Sequence, residues 1–201
     1  MLLLILLFFL FLATVLCLLT EGMWSNAIRF MNVVFAALLA TNFWEPTARL
    51  LESAMKGGSY WWDIVSLWLL FALFVTILET VTNTISRVKV RFLAIVNKAG
   101  GIVFACLTAG VLVCFANFTL HTAPLAETAF RGSFPSKSSI SPDRQWVRFV
   151  TLVSGGSMSK FGTSNRFDGG KFSTSYAERR RALQEQVEGD KGFSGSGTGP
   201  R

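Results

Sequence analysis

Four long apolar stretches occupy the first 120 residues and restrict the chain to one class of structure. They cover residues 2–19, 27–43, 61–78 and 101–120. Each is roughly 17–20 residues long, the length with which an α-helix crosses the ~30 Å hydrocarbon core of a bilayer. Lipid offers no hydrogen-bond partner, so a chain this apolar must satisfy its backbone within helices. The sequence therefore predicts an all-α membrane protein in which residues 1–120 form a transmembrane domain of four helices.

The residues after the fourth stretch have a different composition. Residues 121–201 are rich in proline, serine and glycine, a composition that cannot bury a core and predicts a largely disordered tail. They carry twelve Lys/Arg against seven Asp/Glu, so the tail is basic. Short helices are predicted near 143–152 and 175–187, where a Ser-Pro-Asp start and Glu/Arg pairs at helical spacing interrupt the polar composition.

The connector between the third and fourth stretches, residues 80–99, is basic. Its charges alternate with apolar residues, which taken alone suggests a strand, but the apolar residues also follow helical spacing. An isolated strand between two membrane helices would have unpaired edges, so we favour a basic amphipathic helix lying in the interface. A solvated linker is the alternative. Such a helix would contact anionic lipid headgroups through four side chains: Arg87, Lys89, Arg91 and Lys98.

The connector between the second and third stretches, residues 44–60, predicts an interfacial loop with a short helix. It contains Pro46 and Gly57-Gly58, which interrupt regular structure. Aromatic residues of the kind that prefer the headgroup level flank the loop and mark one membrane face: Trp44, Tyr60, Trp61 and Trp62.

The fourth stretch has a face of small residues. Small residues at every fourth position let helices approach closely in lipid, and this repeat predicts that the fourth helix is the most buried. Its partner is either another helix of this chain or a second copy. The predicted packing residues are Gly100, Gly101, Ala105, Ala109 and Gly110.

Three polar residues within or beside the apolar stretches are candidate functional groups. Arg29 and Asn32 lie three residues apart and therefore on one helical face, while Asp63 opens the third stretch. A charge inside a membrane span costs a few kcal/mol unless it is paired or reaches the interface. The structural alternative is an arginine that extends to the headgroups.

No enzymatic constellation is present in the sequence. There is no GxSxG, Walker or HExxH motif, and His121 is the only histidine, which excludes a multi-histidine metal site. We therefore predict no catalytic, cofactor-binding or metal-binding residues. No nucleic-acid-binding module is recognisable, so the basic tail predicts a membrane partner and not a nucleic acid.

The layout of four spans with a tight turn after the first resembles the colicin V production protein (CvpA) family. The stretch NKAGGIVFA at residues 97–105 is similar to that family's entry into the last helix, where an asparagine and glycines precede a small-residue-rich span. The chain departs from the pattern at Ala109-Gly110, which has no neighbouring base, and at Glu21-Gly22, which replaces a Gly-rich basic turn. The tail resembles the C-terminal extensions of planctomycete members.

This resemblance implies a multi-pass protein of the bacterial inner membrane. It implies a non-enzymatic accessory or scaffold role in toxin (colicin V) production or export and in envelope homeostasis, and it supplies no catalytic residues. The alternative is a small channel or transporter subunit that works as an oligomer. The expected partners are the lipid bilayer and either further copies of the chain or other membrane proteins.

Overall fold

The computed structural model describes residues 2–54, 59–85, 93–122 and 142–154, together with Glu178 and Glu185. Within these residues the chain forms helices and no strand. The predicted disorder of the tail lies outside the described residues. So does the predicted helix near 175–187, except for Glu178 and Glu185. The helices are α1 (Leu2–Leu18), α2 (Met23–Ala54), α3 (Ser59–Ile85), α4 (Ala94–Thr122) and α5 (Pro142–Ser154).

Three of the described helices are long and apolar enough to cross a membrane. The segments are Met23–Trp44 of α2, Trp62–Ile85 of α3 and Ala94–Leu120 of α4. The first helix is more apolar than these three but has only 17 residues. The structure thus supports three spans by length.

The second helix is longer than the sequence predicted, because α2 continues through most of the predicted loop at 44–60 as far as Ala54. Pro46 lies inside it. In membrane helices, Ser and Thr hydroxyls help to satisfy the carbonyls that a proline disturbs. Here the Thr47 hydroxyl donates to the carbonyl of Phe43 at 2.9 Å. The prediction of a loop starting at Trp44 was wrong because a proline does not end a helix under these conditions.

The predicted connector helix at 80–99 is also corrected at both ends. Its first residues continue α3 to Ile85, and its last residues belong to α4, which begins at Ala94 and not near 101. The hydroxyls of Thr80 and Thr84 donate to the carbonyls four residues earlier, which is how such side chains are accommodated inside a helix, and α3 continues through both residues. The middle of the connector, 86–92, lies outside the described residues.

The bundle is built around α2, which packs against α3 on one side and α4 on the other, while α1 and α5 pack on α4. In its most apolar stretch, α2 has 44% of its residues buried, against 28% for α4 and 17% for α3. The prediction that the fourth helix is the most buried was therefore wrong. Long neighbours cover α2 on two sides, whereas the neighbours that α4 does not share with α2 are the short helices α1 and α5.

The two ends of the bundle are held by different contacts. We call the turn end the part formed by the α1–α2 turn (residues 19–22), the starts of α2 and α4 and the end of α3. We call the aromatic end the cluster of Phe71, Phe115, Phe118 and Trp146, where the rings of Phe71 and Phe115 lie 4.8 Å apart and those of Phe115 and Trp146 5.8 Å apart.

The outer surface of the bundle is strongly apolar. On α1 the side chains of Leu4, Ile5, Phe8 and Phe9 are each 65–68% exposed. Their helix is apolar on all sides, which is typical of a helix surrounded by lipid.

Candidate functional site at the turn end

A tight turn joins α1 to α2. The Glu21 amide donates to the Leu18 carbonyl at 3.1 Å, and the Asn26 amide donates to the Gly22 carbonyl at 3.0 Å. Gly22 is therefore the residue from which α2 starts. This turn reverses the chain within four residues and brings the end of α1 beside the start of α4.

Asn97 of α4 caps the start of α2. Its Oδ1 accepts a hydrogen bond from the Met23 amide at 2.9 Å. The first amides of a helix have no partner within the helix, so a side-chain oxygen at this place stabilises the helix start. A Cβ on Gly22 would lie 3.0 Å from Asn97 Oδ1, which explains why the turn has a glycine here.

Gly100 and Gly101 allow α4 to approach the turn closely. A Cβ on Gly101 would lie 3.1 Å from the Glu21 carbonyl oxygen, and a Cβ on Gly100 would overlap the Met23 side chain. The backbone of the turn cannot give way as a flexible side chain can. The glycines that the sequence singled out for helix packing thus receive the α1–α2 turn.

Asn26 joins three helices and is fully buried. Its Nδ2 donates to the carbonyl of Leu18 at the end of α1 and to that of Gly101 in α4, both at 3.0 Å. Its Oδ1 has no hydrogen-bond partner among the described residues. Sequence reasoning missed this residue. An amide just after a tight turn, at the edge of an apolar stretch, was the available signal, because such side chains hydrogen-bond across membrane helices.

Arg29 is held between two carboxylates. Its Nε lies 3.2 Å from Glu79 Oε1, and its Nη1 lies 3.7 Å from Glu21 Oε1. All three side chains are about one-third exposed, at 34–38%. The arginine is therefore neither unpaired nor dependent on reaching the headgroups. The ion pairs connect the start of α2 to the turn and to α3.

Asn32 continues this contact between α2 and α3. It is 4% exposed, and its Nδ2 donates to Thr82 Oγ1 at 2.9 Å. Beside Arg29 and Asn32 lies an open-sided pocket of about 190 Å³. Its lining also includes Trp24, Ser25 and Asn83. This polar pocket is the clearest candidate site in the described part of the chain.

Asp63 does not belong to this group. It lies sixteen residues before Glu79 on α3, or roughly 24 Å along the helix axis, near the opposite end of the bundle. Its backbone carbonyl accepts a hydrogen bond from Ser66 Oγ at 2.9 Å. The structure brings Arg29 and Asn32 together and leaves Asp63 apart.

The remaining predicted residues are divided between packing and surface positions. Ala105 and Ala109 have no exposed surface, whereas a Cβ on Gly110 would meet nothing within 4 Å. Gly110 is thus not a close-packing position, because it faces open space. Lys98 is exposed on the first turns of α4. The other three predicted interfacial bases, Arg87, Lys89 and Arg91, lie outside the described residues.

The arrangement of the described residues is that of contacts between helices. Among them, no three His, Cys, Asp or Glu side chains are grouped where they could hold a metal ion. Amides and ion pairs at the turn end instead connect α1, α2, α3 and α4. The sequence singles out two parts of this arrangement: the tight turn after the first apolar stretch, and the segment that contains Asn97, Gly100 and Gly101.

The family model described as colicin V production protein matches residues 2–142. The chain belongs to the colicin V production protein family. No curated protein and no solved structure matches it. The match covers α1–α4 and reaches the first residue of α5. Together with the three long apolar helices, family membership makes the chain a multi-pass membrane protein.

Proposed function

We propose that this colicin V production family member is a non-enzymatic scaffold or accessory protein of the bacterial inner membrane. It would act in toxin (colicin V) production or export and in envelope homeostasis. The observation that supports this most is the use of the polar side chains: Asn26, Asn97 and Arg29 contact other helices of the same chain. These polar groups stabilise the bundle itself, so the outer surface of the bundle is left to contact lipid and other proteins, as a scaffold requires.

The proposal includes a fourth membrane span formed by α1. Seventeen residues give a helix of roughly 25 Å, slightly shorter than the hydrocarbon core, and a bilayer adapts to a short span by thinning. The tight turn at residues 19–22 makes α1 and α2 antiparallel, and the side chains of α1 that do not pack on α4 are apolar and exposed, as lipid contact requires. Four spans put the start of α1 and the end of α4 on the same membrane face.

The surfaces left open define the proposed partners. Lys98 is exposed beside the turn, and with the bases of the connector it would contact anionic headgroups. Only 17% of the most apolar part of α3 is buried, so this helix offers room for a second copy or another membrane protein. We propose both contacts as part of the scaffold role.

Toxin release from a complemented strain tests this function. In a bacterium that exports colicin V and lacks its own family member, we expect this chain to restore the growth-inhibition zone on a sensitive lawn. The control variant Gly110→Ala should restore it equally, because a Cβ there meets nothing within 4 Å. Toxin measured separately inside and outside the cells distinguishes production from export.

Two outcomes would contradict the proposal. A chain that accumulates in the membrane at wild-type level without restoring any toxin release would remove the toxin-related role. Purified protein that conducts ions across liposomes would instead support the alternative, an oligomeric channel.

A further inference from the structure

The polar pocket between α2 and α3 has an unequal set of charges. Its charged lining groups are one guanidinium, from Arg29, and two carboxylates, from Glu21 and Glu79. Its volume is about 190 Å³, well above the roughly 10–15 Å³ that a single water molecule needs. A pocket with more carboxylates than cations disfavours an anionic ligand and favours one that carries a cation of its own.

The ion pairs leave hydrogen-bonding groups available to a ligand on the guanidinium and on both carboxylates. Arg29 contacts the Oε1 atom of each carboxylate, and the second oxygen of each can accept a hydrogen bond from a ligand. The guanidinium has five N–H donors and uses Nε and Nη1 in these pairs, so it can also donate to a phosphate. The pocket therefore matches a ligand that has an ammonium and a phosphate close together.

The position of the pocket indicates a lipid headgroup. Trp24 lies at the start of the apolar segment Met23–Trp44, and Asn83 lies near the end of Trp62–Ile85. Both residues are thus at the membrane boundary, where tryptophan is enriched. Trp24 is itself 37% exposed.

An apolar track continues from the pocket along α2. Ile28, Met31 and Phe35 follow Trp24 at spacings of four, three and four residues, which places all of them on one helical face. Met31 and Phe35 are exposed by 49% and 39%. An acyl chain attached to a headgroup in the pocket can lie along this track.

We propose that this pocket binds the headgroup of a phospholipid with a primary ammonium and a phosphate, such as phosphatidylethanolamine. The ammonium donates to the carboxylates of Glu21 and Glu79, the phosphate accepts from Arg29, and an acyl chain lies over Ile28, Met31 and Phe35. This inference depends on the membrane location of the chain and not on its role in toxin release. It differs from the contact of the connector with anionic lipid.

Lipid competition tests the site. The full chain is equilibrated in detergent with equal amounts of phosphatidylethanolamine, phosphatidylcholine and phosphatidylglycerol of identical acyl chains, then purified again, and its bound lipid is quantified by mass spectrometry. We expect roughly tenfold retention of the ethanolamine lipid over each of the others, the factor for one charge-assisted hydrogen bond. Equal retention of all three lipids would overturn the proposal.

Variants locate the preference in the pocket. Glu21→Gln combined with Glu79→Gln should abolish the preference, because both ammonium acceptors lose their charge. Asp63→Asn is the matched control, since it removes a carboxylate at the other end of α3 and should leave the preference unchanged. A preference that persists in the double variant, or is lost in the control, would place the site elsewhere and overturn the assignment.

Two ligand series do not depend on the folding of any variant. With the wild-type chain, stepwise N-methylation of the ethanolamine headgroup should lower retention mainly at the second and third methyl groups, because two N–H donors are needed for the carboxylates of Glu21 and Glu79. Soluble glycerophosphoethanolamine should not displace the bound lipid at equal concentration, because it lacks the acyl chain. Retention independent of methylation, or full displacement by the soluble headgroup, would contradict the proposed ammonium contacts or the lipid as their source.

Discussion

The turn end and the aromatic end of the bundle hold the same helices together by different means. At the turn end, buried amides, glycines and a three-membered ion-pair group join α1, α2, α3 and α4. At the aromatic end, rings from α3, α4 and α5 pack on one another, and Trp146 Nε1 donates a hydrogen bond to Thr41 Oγ1 of α2 at 3.3 Å. The turn end is held by hydrogen bonds, ion pairs and close backbone contacts, whereas the aromatic end is held mainly by packing between aromatic rings.

This difference shows how a very apolar chain can specify one arrangement. Lipid tails are as apolar as the helices, so burial of apolar surface provides little preference for one helix neighbour over another. Hydrogen bonds and close backbone approach do provide it. The turn end therefore determines which helices are neighbours, and the aromatic end seats α5 on the bundle. The predictions that follow test this division of roles.

The largest expected effect is at the aromatic end. Trp146 is 3% exposed and packs on Phe115, so Trp146→Ala should weaken the seating of α5 by about 3–5 kcal/mol, the usual cost of truncating a buried Trp. Hydrogen exchange of the α5 amides should rise while that of α2 and α4 stays the same. Leu152→Ala, at a position that is 77% exposed, is the control and should leave exchange unchanged. Unchanged α5 protection in the Trp146 variant would show that the rings do not hold α5.

At the turn end, overpacking should have the next largest effect. A Cβ added at Gly101 would already lie 3.1 Å from the Glu21 carbonyl oxygen, and the larger side chain of Gly101→Leu has no space there. This variant should destabilise the bundle by about 1–3 kcal/mol. Unfolding by SDS in mixed micelles measures this change. Gly110→Leu is the matched control on the same helix and should unfold like the wild type. Equal stability of both variants would mean that the turn does not rest on α4.

Removing the amide that joins three helices tests the polar contacts directly. Asn26→Ala loses hydrogen bonds to Leu18 and Gly101 and should cost about 1–2 kcal/mol in the same assay, since such bonds in membrane proteins contribute modestly each. Asn42→Ala is the control, because the Asn42 side chain donates to the Leu38 carbonyl of its own helix. A larger loss for Asn42 than for Asn26 would reverse the assignment.

The smallest expected effect belongs to the ion pair. Glu79 is 38% exposed on its side chain, so Glu79→Gln should lower stability by less than about 1 kcal/mol. The loss should shrink as salt is added, because exposed charges are screened. A loss as large as that of Gly101→Leu would mean that charge, and not close backbone approach, holds the turn end together.

The sequence was sufficient to predict the helical class and the position of the apolar segments, because span length and composition follow directly from the thickness of the bilayer. It was also sufficient to single out Asn97, Gly100 and Gly101 through the resemblance to the colicin V production family. The family match confirms that resemblance. Helix ends were predicted poorly. Pro46 looks like a breaker, but α2 continues past it to Ala54, and α3 continues through Thr80 and Thr84 to Ile85.

The candidate site was predicted only in part. Arg29 and Asn32 stood out because polar residues in apolar segments are costly, but their partners could not be found without the three-dimensional arrangement. Glu79 and Thr82 are about fifty residues away along the chain, and no local pattern connects them to α2. Asp63 stood out for the same reason as Arg29, as a charged residue beside an apolar segment, but it lies at the other end of α3 from Glu79. The sequence does not show which ends of different helices lie side by side, so it could not separate the two residues.

Cross-linking of positions 23 and 100 tests most directly the central claim that the α1–α2 turn rests on the start of α4. A Cβ on Gly100 would lie 3.2 Å from Met23 Cβ, close to the roughly 3.5–4.5 Å between Cβ atoms in a disulfide. In a background with Cys17, Cys106 and Cys114 replaced, oxidised membranes containing Met23→Cys with Gly100→Cys should give an intramolecular cross-link. Met23→Cys with Leu107→Cys, seven residues further along α4, should give none. Cross-linking of the second pair and not the first, in chains that accumulate normally, would contradict the account.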